Sequence, residues 1–271
     1  MRMMLHHHHH HYPSYDNDDP NNEEEEEVVV RLVQTVAEAA EACARLRKCK
    51  VIALDMEGAP LERQTSLLQL AASAREVYVF DLLAFTAARQ QHVLFDALHL
   101  LPILSDPNVL KLCYDGRGDG AALFLQHGVC TEGLYDLQVV FTSLFQARED
   151  PCLKGLQHAI ERVGVSPQAL RAFVRRKRAV RQRWRTDGTD CILRRPLNEE
   201  LLRYAAADVT HLFAMHAAWS PRVSERAVVV TSTERVRQHV ARRQEAYAMY
   251  RLDFAPVRAQ RPMFLVPKTK V

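Results

Sequence analysis

Apolar positions come first in short blocks and later at helical spacing along this chain. Val28 to Val33 form one block, which predicts a strand. Thr35 to Leu46 (TVAEAAEACARL) places apolar residues three and four apart behind a threonine, which predicts a helix with its cap. Val51 to Asp55 predicts a short buried strand, Leu67 to Leu70 its hairpin partner, and Val77 to Asp81 (VYVFD) a third strand. Helical patterns cover about 89–101, Val109 to Cys113 predicts another strand, and Gly118 to Gln126 opens a helix after a glycine-containing turn. Further helices fit 136–146, 153–164 and 198–217. Beyond Pro221, the apolar stretch Ala227 to Val230 leads into an arginine-rich helix over about 233–250, and the prolines from Pro256 onward read as extended. Strands first, and then strands alternating with helices, predict an α/β fold with a mixed sheet covered by helices.

At 271 residues and 48% apolar, the chain can bury a full core. Residues 1–27 lack apolar periodicity and read as a disordered acidic leader. The ordered domain is expected over 28–220, and 221–271 as a basic C-terminal helix and extended tail. The run His6 to His11, an expression tag or a native tract, binds metal without implying function and carries no site argument. No stretch approaches the roughly 20 apolar residues of a membrane span, and no secretory apolar core follows the start. The six cysteines are scattered without a CxxC pair, which suits a reducing compartment. An intracellular protein, nuclear or cytoplasmic and not secreted, is the expectation. The leader holds eight acids against Arg2 alone, so the remaining residues hold 35 basic and 25 acidic groups. A basic body of that kind suggests a polyanionic partner.

Five residues stand out chemically. In VIALDMEG (51–58) the strand period of two turns Asp55 and Glu57 to one side and Met56 to the other. In ELLRYAAADVTHLF, Tyr204 and Asp208 stand four apart and share a helix face. Asp119 falls in the first turn of the helix that follows VLKLCYDGRG, where a capping aspartate is the plain alternative. Acidic side chains grouped on rigid elements are costly unless a cation lies among them, and a divalent metal pair is the natural candidate. An Asp-x-Glu alone is weak, since a chain with 33 acidic residues will contain one by chance.

The order of these segments resembles the DEDDy-type 3′–5′ exonucleases, the ribonuclease D and Werner-type group, over about residues 28–220. Asp55-Met56-Glu57 with TSLLQLA and VYVFDLL matches the first motif, and KLCYDGRGDGAALFLQHGV the second, with Asp119 at the catalytic aspartate. The LYDLQ segment with Asp136 is similar to the usual helix start, and RPLNEELLRYAAADVTHL matches the third motif through Tyr204 and Asp208. The YDGRGD form is closest to the exonuclease-domain-containing subgroup, some of whose members have lost catalysis. Asp115, four residues before Asp119, is the rival in the second motif, where many relatives have a histidine at the position of Tyr114. Arg203 stands where a sister branch has histidine, so the tyrosine version applies. The resemblance implies a ribonuclease H-like fold and two divalent ions, Mg²⁺ or Mn²⁺. Asp55 would bridge them, Glu57 and Asp208 would complete the water-activating site, Asp119 would hold the second ion, and Tyr204 would orient the attacking water. It also implies hydrolysis of single-stranded nucleic acid from 3′ ends, RNA favoured over DNA, with release of 5′-nucleoside monophosphates.

Residues 171–185 (RAFVRRKRAVRQRWR) interleave Phe173 and Trp184 with seven arginines and one lysine. Arg175, Arg176, Lys177, Arg178, Arg181, Arg183 and Trp184 are the candidates for contact with a strand, through phosphates and stacked bases. A solvated helix face or an import signal would carry the same charges. Arg117 and Lys154 are weaker candidates near the expected cleft. The C-terminal arginine-rich helix (Arg235, Arg237, Arg242, Arg243) could bind nucleic acid or a protein partner. The other reading of the whole chain is a catalytically silent RNA-binding scaffold that retains the exonuclease fold.

Overall fold

A computed structural model describes residues 28–58, 65–146, 152–188 and 192–250. The acidic leader and the extended tail expected from the sequence lie outside the described residues. In chain order the elements are β1 (Val29–Val33), α1 (Val36–Leu46), β2 (Val51–Gly58), β3 (Thr65–Ser73), β4 (Glu76–Asp81), α2 (Leu82–Ala87), α3 (Gln91–Leu94), α4 (Leu101–Leu104), β5 (Leu110–Cys113), α5 (Arg117–His127) and β6 (Leu134–Asp136). They continue with α6 (Leu137–Phe145), α7 (Leu156–Val163), α8 (Pro167–Asp187), α9 (Glu199–Thr210), α10 (Leu212–Trp219) and α11 (Glu225–Tyr250). The α/β class and the mixed, helix-flanked sheet expected from the sequence are what the chain forms.

Six strands lie in the order β1-β4-β3-β2-β5-β6. The centre is an antiparallel meander, β2 on β3 and β3 on β4, and the flanking pairs β1–β4, β2–β5 and β5–β6 are parallel. β3 is buried along nearly its whole length, as a central strand covered on both faces must be. One face packs Ile52, Leu54, Leu68, Leu70 and Phe80 against α1 and the short helices that follow β4. The other packs Ala53, Leu67, Ala71, Val77 and Val79 against α6, α7, α9 and α10.

Three sequence-based boundaries differ from the structure. The helix expected over 89–101 is divided: Arg89 adopts φ 58 after α2, α3 closes at Phe95, and α4 begins only at Leu101. The helix expected over 198–217 is broken at His211, where Thr210 turns its hydroxyl back onto the Ala207 carbonyl (3.3 Å). β6, with three residues on the sheet edge, is too short to show a period. The expected boundary at 220 falls in the turn Ser220–Arg222, and α11 beyond it packs on α5 and β6.

Asp81, at the end of β4, is fully buried and caps α2 by accepting the Ala84 amide (3.2 Å). Arg195 grips both its oxygens (2.6 and 2.7 Å), and Gln34 adds a third contact (3.0 Å). Burial alone would raise the Asp81 pKa, but the hydrogen bonds from Arg195 and Gln34 hold it below the ordinary value. The grip ties the segment leading into α9 to the sheet. Arg195→Met strands a buried carboxylate and is expected to lower stability by about 3–5 kcal/mol, read as a fall in the urea midpoint. A loss under about 1 kcal/mol, the range of an exposed pair, would show that the grip is not structural.

Candidate active site

β2 turns Ala53, Asp55 and Glu57 onto the face covered by α9, and the antiparallel register sets Asp55 beside Gln69 and Glu57 beside Leu67. α9 approaches the sheet through Ala205, Ala206 and Ala207, all buried, whose small side chains allow a close approach. That brings Asp208 and Tyr204 down onto β2. Asp55, Glu57 and Asp208 each offer one oxygen, and these lie within 4.8 Å of one another. Asp119, in the first turn of α5, stands outside that close group of three but near enough for the Asp55 and Glu57 charges to act on it.

The crowding is visible in proton affinity. Burial and the Asp208 charge push Asp55 up to about 8, against the opposing pull of Lys177. Glu57 is held well above the ordinary range by burial and by Asp55, and Asp119 by burial, Asp55 and Glu57. Asp208 is raised by burial, with Lys177 acting the other way. Lys177, on α8, places its ammonium on Asp208 Oδ2 and 3.9 Å from the centroid of the Tyr204 ring. Asp208 Oδ1 is buried with no hydrogen-bond partner among the described residues. Burial and the charges of Glu57, Asp208 and Asp55 raise the Tyr204 pKa, so its hydroxyl keeps its proton. The all-oxygen donor set, the mutual repulsion and the free Asp208 oxygen fit a hard divalent cation.

The rival aspartate is differently placed. Asp115 has φ 63, and its amide donates to Asp136 Oδ1 (2.9 Å). Gly116 follows it, where a Cβ would lie 2.5 Å from Cys113 Sγ. The Asp115 carboxylate is occupied by Arg117 (2.5 and 2.8 Å) and reached by Arg235 (3.4 Å). Its charge is thus met by arginines, whereas Asp119 faces other carboxylates.

The basic candidates divide between two faces of α8. Arg175 and Arg178 are exposed, in line with Arg171 and Arg185 at helical spacing. Arg176 borders a shallow hollow with Arg171, Arg175 and Gln168. Arg181 is exposed near the site and lowers the proton affinity of Tyr204 and Asp208. Arg183 is paired with Glu200 (3.0 Å). Trp184 turns inward, edge-on to Tyr204 with 5.8 Å between ring centroids. Lys177 lies among the carboxylates and not with the outer arginines. At Lys154 the backbone carbonyl accepts the Tyr114 hydroxyl (2.9 Å), and Arg117 is held by Asp115. Sequence reasoning missed Gln69, a fully buried amide beside Asp55 with no side-chain partner among the described residues. Its signal was a polar residue inside an otherwise apolar strand. It also missed His239, which lines a cleft of about 410 Å³ with Glu57, Asp119 and Arg243, the last of these a residue named in the C-terminal arginine-rich helix but not placed at the site.

A family model described as 3′–5′ exonuclease matches residues 30–223. Ribonuclease D of Nitrobacter hamburgensis is 30% identical over 204 residues, 72% of this chain and 44% of that protein. The chain therefore spans less than half the length of that curated relative. The crystal structure of Trypanosoma brucei RNase D is similar at 27% identity and TM-score 0.63, covering 78% of this chain and 72% of its own. The same Trypanosoma brucei protein in complex with RNA U12 gives 27% and 0.65, covering 79% and 72%.

Carboxylates bind a metal only once deprotonated. Because Asp55 keeps its proton up to about pH 8, Mn²⁺ must displace that proton at lower pH. Affinity is expected to rise as pH increases towards 8, by up to about ten-fold per unit for each proton displaced. Calorimetric titration in two buffers of different ionisation enthalpy checks this by the proton released, and a pH-independent affinity without release would contradict the crowding.

Proposed function

The chain belongs to the 3′–5′ exonuclease family, in its DEDDy-type, ribonuclease D-like branch, and on that premise we propose that it shortens single-stranded nucleic acid from the 3′ end, RNA in preference to DNA. The observation that carries the reading is the cluster of Asp55, Glu57 and Asp208 with the protonated Tyr204 beside it. Preference for RNA is supported by the ribonuclease D relatives, one of them solved with an RNA strand.

In this reading the four carboxylates would hold two divalent ions, Mg²⁺ or Mn²⁺, with Glu57 and Asp208 serving one, Asp119 the other and Asp55 contributing to both. Bound there, such ions supply an activated water and offset charge on the leaving oxygen. Tyr204 orients the water through its hydroxyl, since a phenol with raised pKa cannot serve as an outright base. Its ring is fixed by Trp184 on one side and the Lys177 ammonium on another. The water oxygen adds to phosphorus, the P–O3′ bond breaks, and a 5′-nucleoside monophosphate leaves a strand with a new 3′ hydroxyl. Outward arginines of α8, with Arg171 and Arg185 added to the sequence candidates, steer the strand by its phosphates.

Asp208→Asn is expected to abolish Mn²⁺-dependent trimming of end-labelled RNA, resolved at single-nucleotide steps, while leaving thermal unfolding cooperative. Tyr204→Phe is expected to slow it by about 10²-fold or more. Matched RNA and DNA oligonucleotides in the same assay read the sugar preference. Undiminished cleavage by Asp208→Asn would overturn the assignment, and a wild-type protein that trims neither strand would point to the silent scaffold.

A further inference from the structure

α11 begins at Glu225, past the last residue matched by the exonuclease family model, residue 223. Even so, it is built into the site. Arg235 donates to Asp136 Oδ2 (2.7 Å) and Gln138 Oε1 (2.6 Å) and reaches Asp115 (3.4 Å). One turn earlier, the Ser232 hydroxyl accepts the Asp136 amide (3.0 Å) and donates to the Val228 carbonyl (2.7 Å). Val236 lies against Gly120 of α5, next to Asp119, where a Cβ would come within 2.8 Å of its methyl group. Buried polar contacts and a close helix crossing thus fix α11 against β6, which carries Asp136, and α5, which carries Asp119, with Asp115 in the turn that leads into α5.

Arg235, His239 and Arg243 are spaced by four, so they share one helix face. Arg235 is used inward as the anchor, and the other two continue along the wall of the cleft. That cleft of about 410 Å³ is bounded by Glu57, Asp115, Arg117, Asp119, His239 and Arg243, within the range of about 300–1,000 Å³ typical of small-ligand sites. His239 Nε2 is buried and finds no hydrogen-bond partner among the described residues. Burial and the nearby Arg243 and Arg117 hold its pKa below the ordinary value, so a neutral ring faces the cleft. Arg243 is half-buried and forms no ion pair with a described residue. A cleft lined by Glu57 and Asp119 together with the nitrogen groups of His239 and Arg243 matches a phosphodiester whose anionic oxygens need donors while its reacting end meets the acidic cluster.

We propose that α11 is a wall of the substrate cleft, with His239 and Arg243 forming a phosphate-binding subsite for the single strand beside Glu57 and Asp119. This rests on the exonuclease reading and adds to it a binding element outside the family's matched region. Arg237, on the outer face and paired with Glu234 (2.7 Å), has no part in it.

Binding is measured with wild-type full chain in excess EDTA, so that no cleavage occurs, by fluorescence anisotropy of a labelled single-stranded RNA. Arg243→Gln and His239→Asn are each expected to weaken binding by roughly five-fold or more. Arg243→Gln should also reduce the slope of log affinity against log salt by about 0.7, the share of one phosphate contact on a single strand. Arg243→Lys should restore part of the affinity, which a purely structural role would not predict. Arg237→Gln should bind as wild type does. Wild-type affinity in both cleft variants, or an equal loss in Arg237→Gln, would overturn the subsite and assign the effect to none or to a diffuse field. A wild-type chain that trims RNA while the cleft variants bind normally removes only the subsite, whereas a chain that neither binds nor trims RNA removes the exonuclease reading with it.

Discussion

The repulsion among Asp55, Glu57, Asp119 and Asp208 is the constraint around which the surrounding structure is arranged. Left to themselves, four carboxylates in a partly dry space would separate or take up protons, and burial, with mutual repulsion added at Asp55, Glu57 and Asp119, raises their proton affinities. Separation is prevented by rigidity. Two of the groups ride on a strand hydrogen-bonded to neighbours on both sides, one on a helix pressed to the sheet by its alanines, and one on a helix bounded by a glycine turn. A backbone held this firmly keeps the acids together and leaves their charge for a cation to meet.

Cations of the chain itself surround the cluster in a graded way. Lys177 touches Asp208 from α8, while Arg117 and Arg235 take up Asp115 and Asp136 at its border. Neutralising the border carboxylates matters, because two more free charges would raise the repulsion that Lys177 relieves at Asp208 alone. Farther off, the Arg195–Asp81 pair attaches the segment before α9 to the end of β4. The same residue chemistry thus appears in three roles, distinguished by how much of each carboxylate remains unclaimed.

Much of this was legible in the sequence because it rests on local periodicity. The period of two placed Asp55 and Glu57 together, and the spacing of four placed Tyr204 with Asp208. Both follow from backbone geometry whatever the tertiary context. Lys177 was counted as one charge among eight, since nothing in RAFVRRKRAVRQRWR says which side of the helix meets the core; Phe173 and Val180 decide that only once the sheet is present. Arg235, His239 and Arg243 also show their common face in the spacing, but which surface that face meets depends on the crossing at Gly120 and Val236. The short helices after β4 and the three-residue β6 escaped for a plainer reason. Segments of three or four residues do not contain a full period to read.

The attachment of Arg195 to Asp81 has a consequence for how this architecture tolerates variation. α8 carries the outward arginines, and α9, which follows it in the chain, carries Tyr204 and Asp208. Between them the chain is pinned to the end of β4, three residues before the Asn198 cap that opens α9. The phase of α9 is therefore counted from the pin and not from the end of α8. Exchanges among the outward arginines of α8 leave that phase untouched, so the outer charge can drift while the inward Lys177 and Trp184 keep their places on Asp208 and Tyr204.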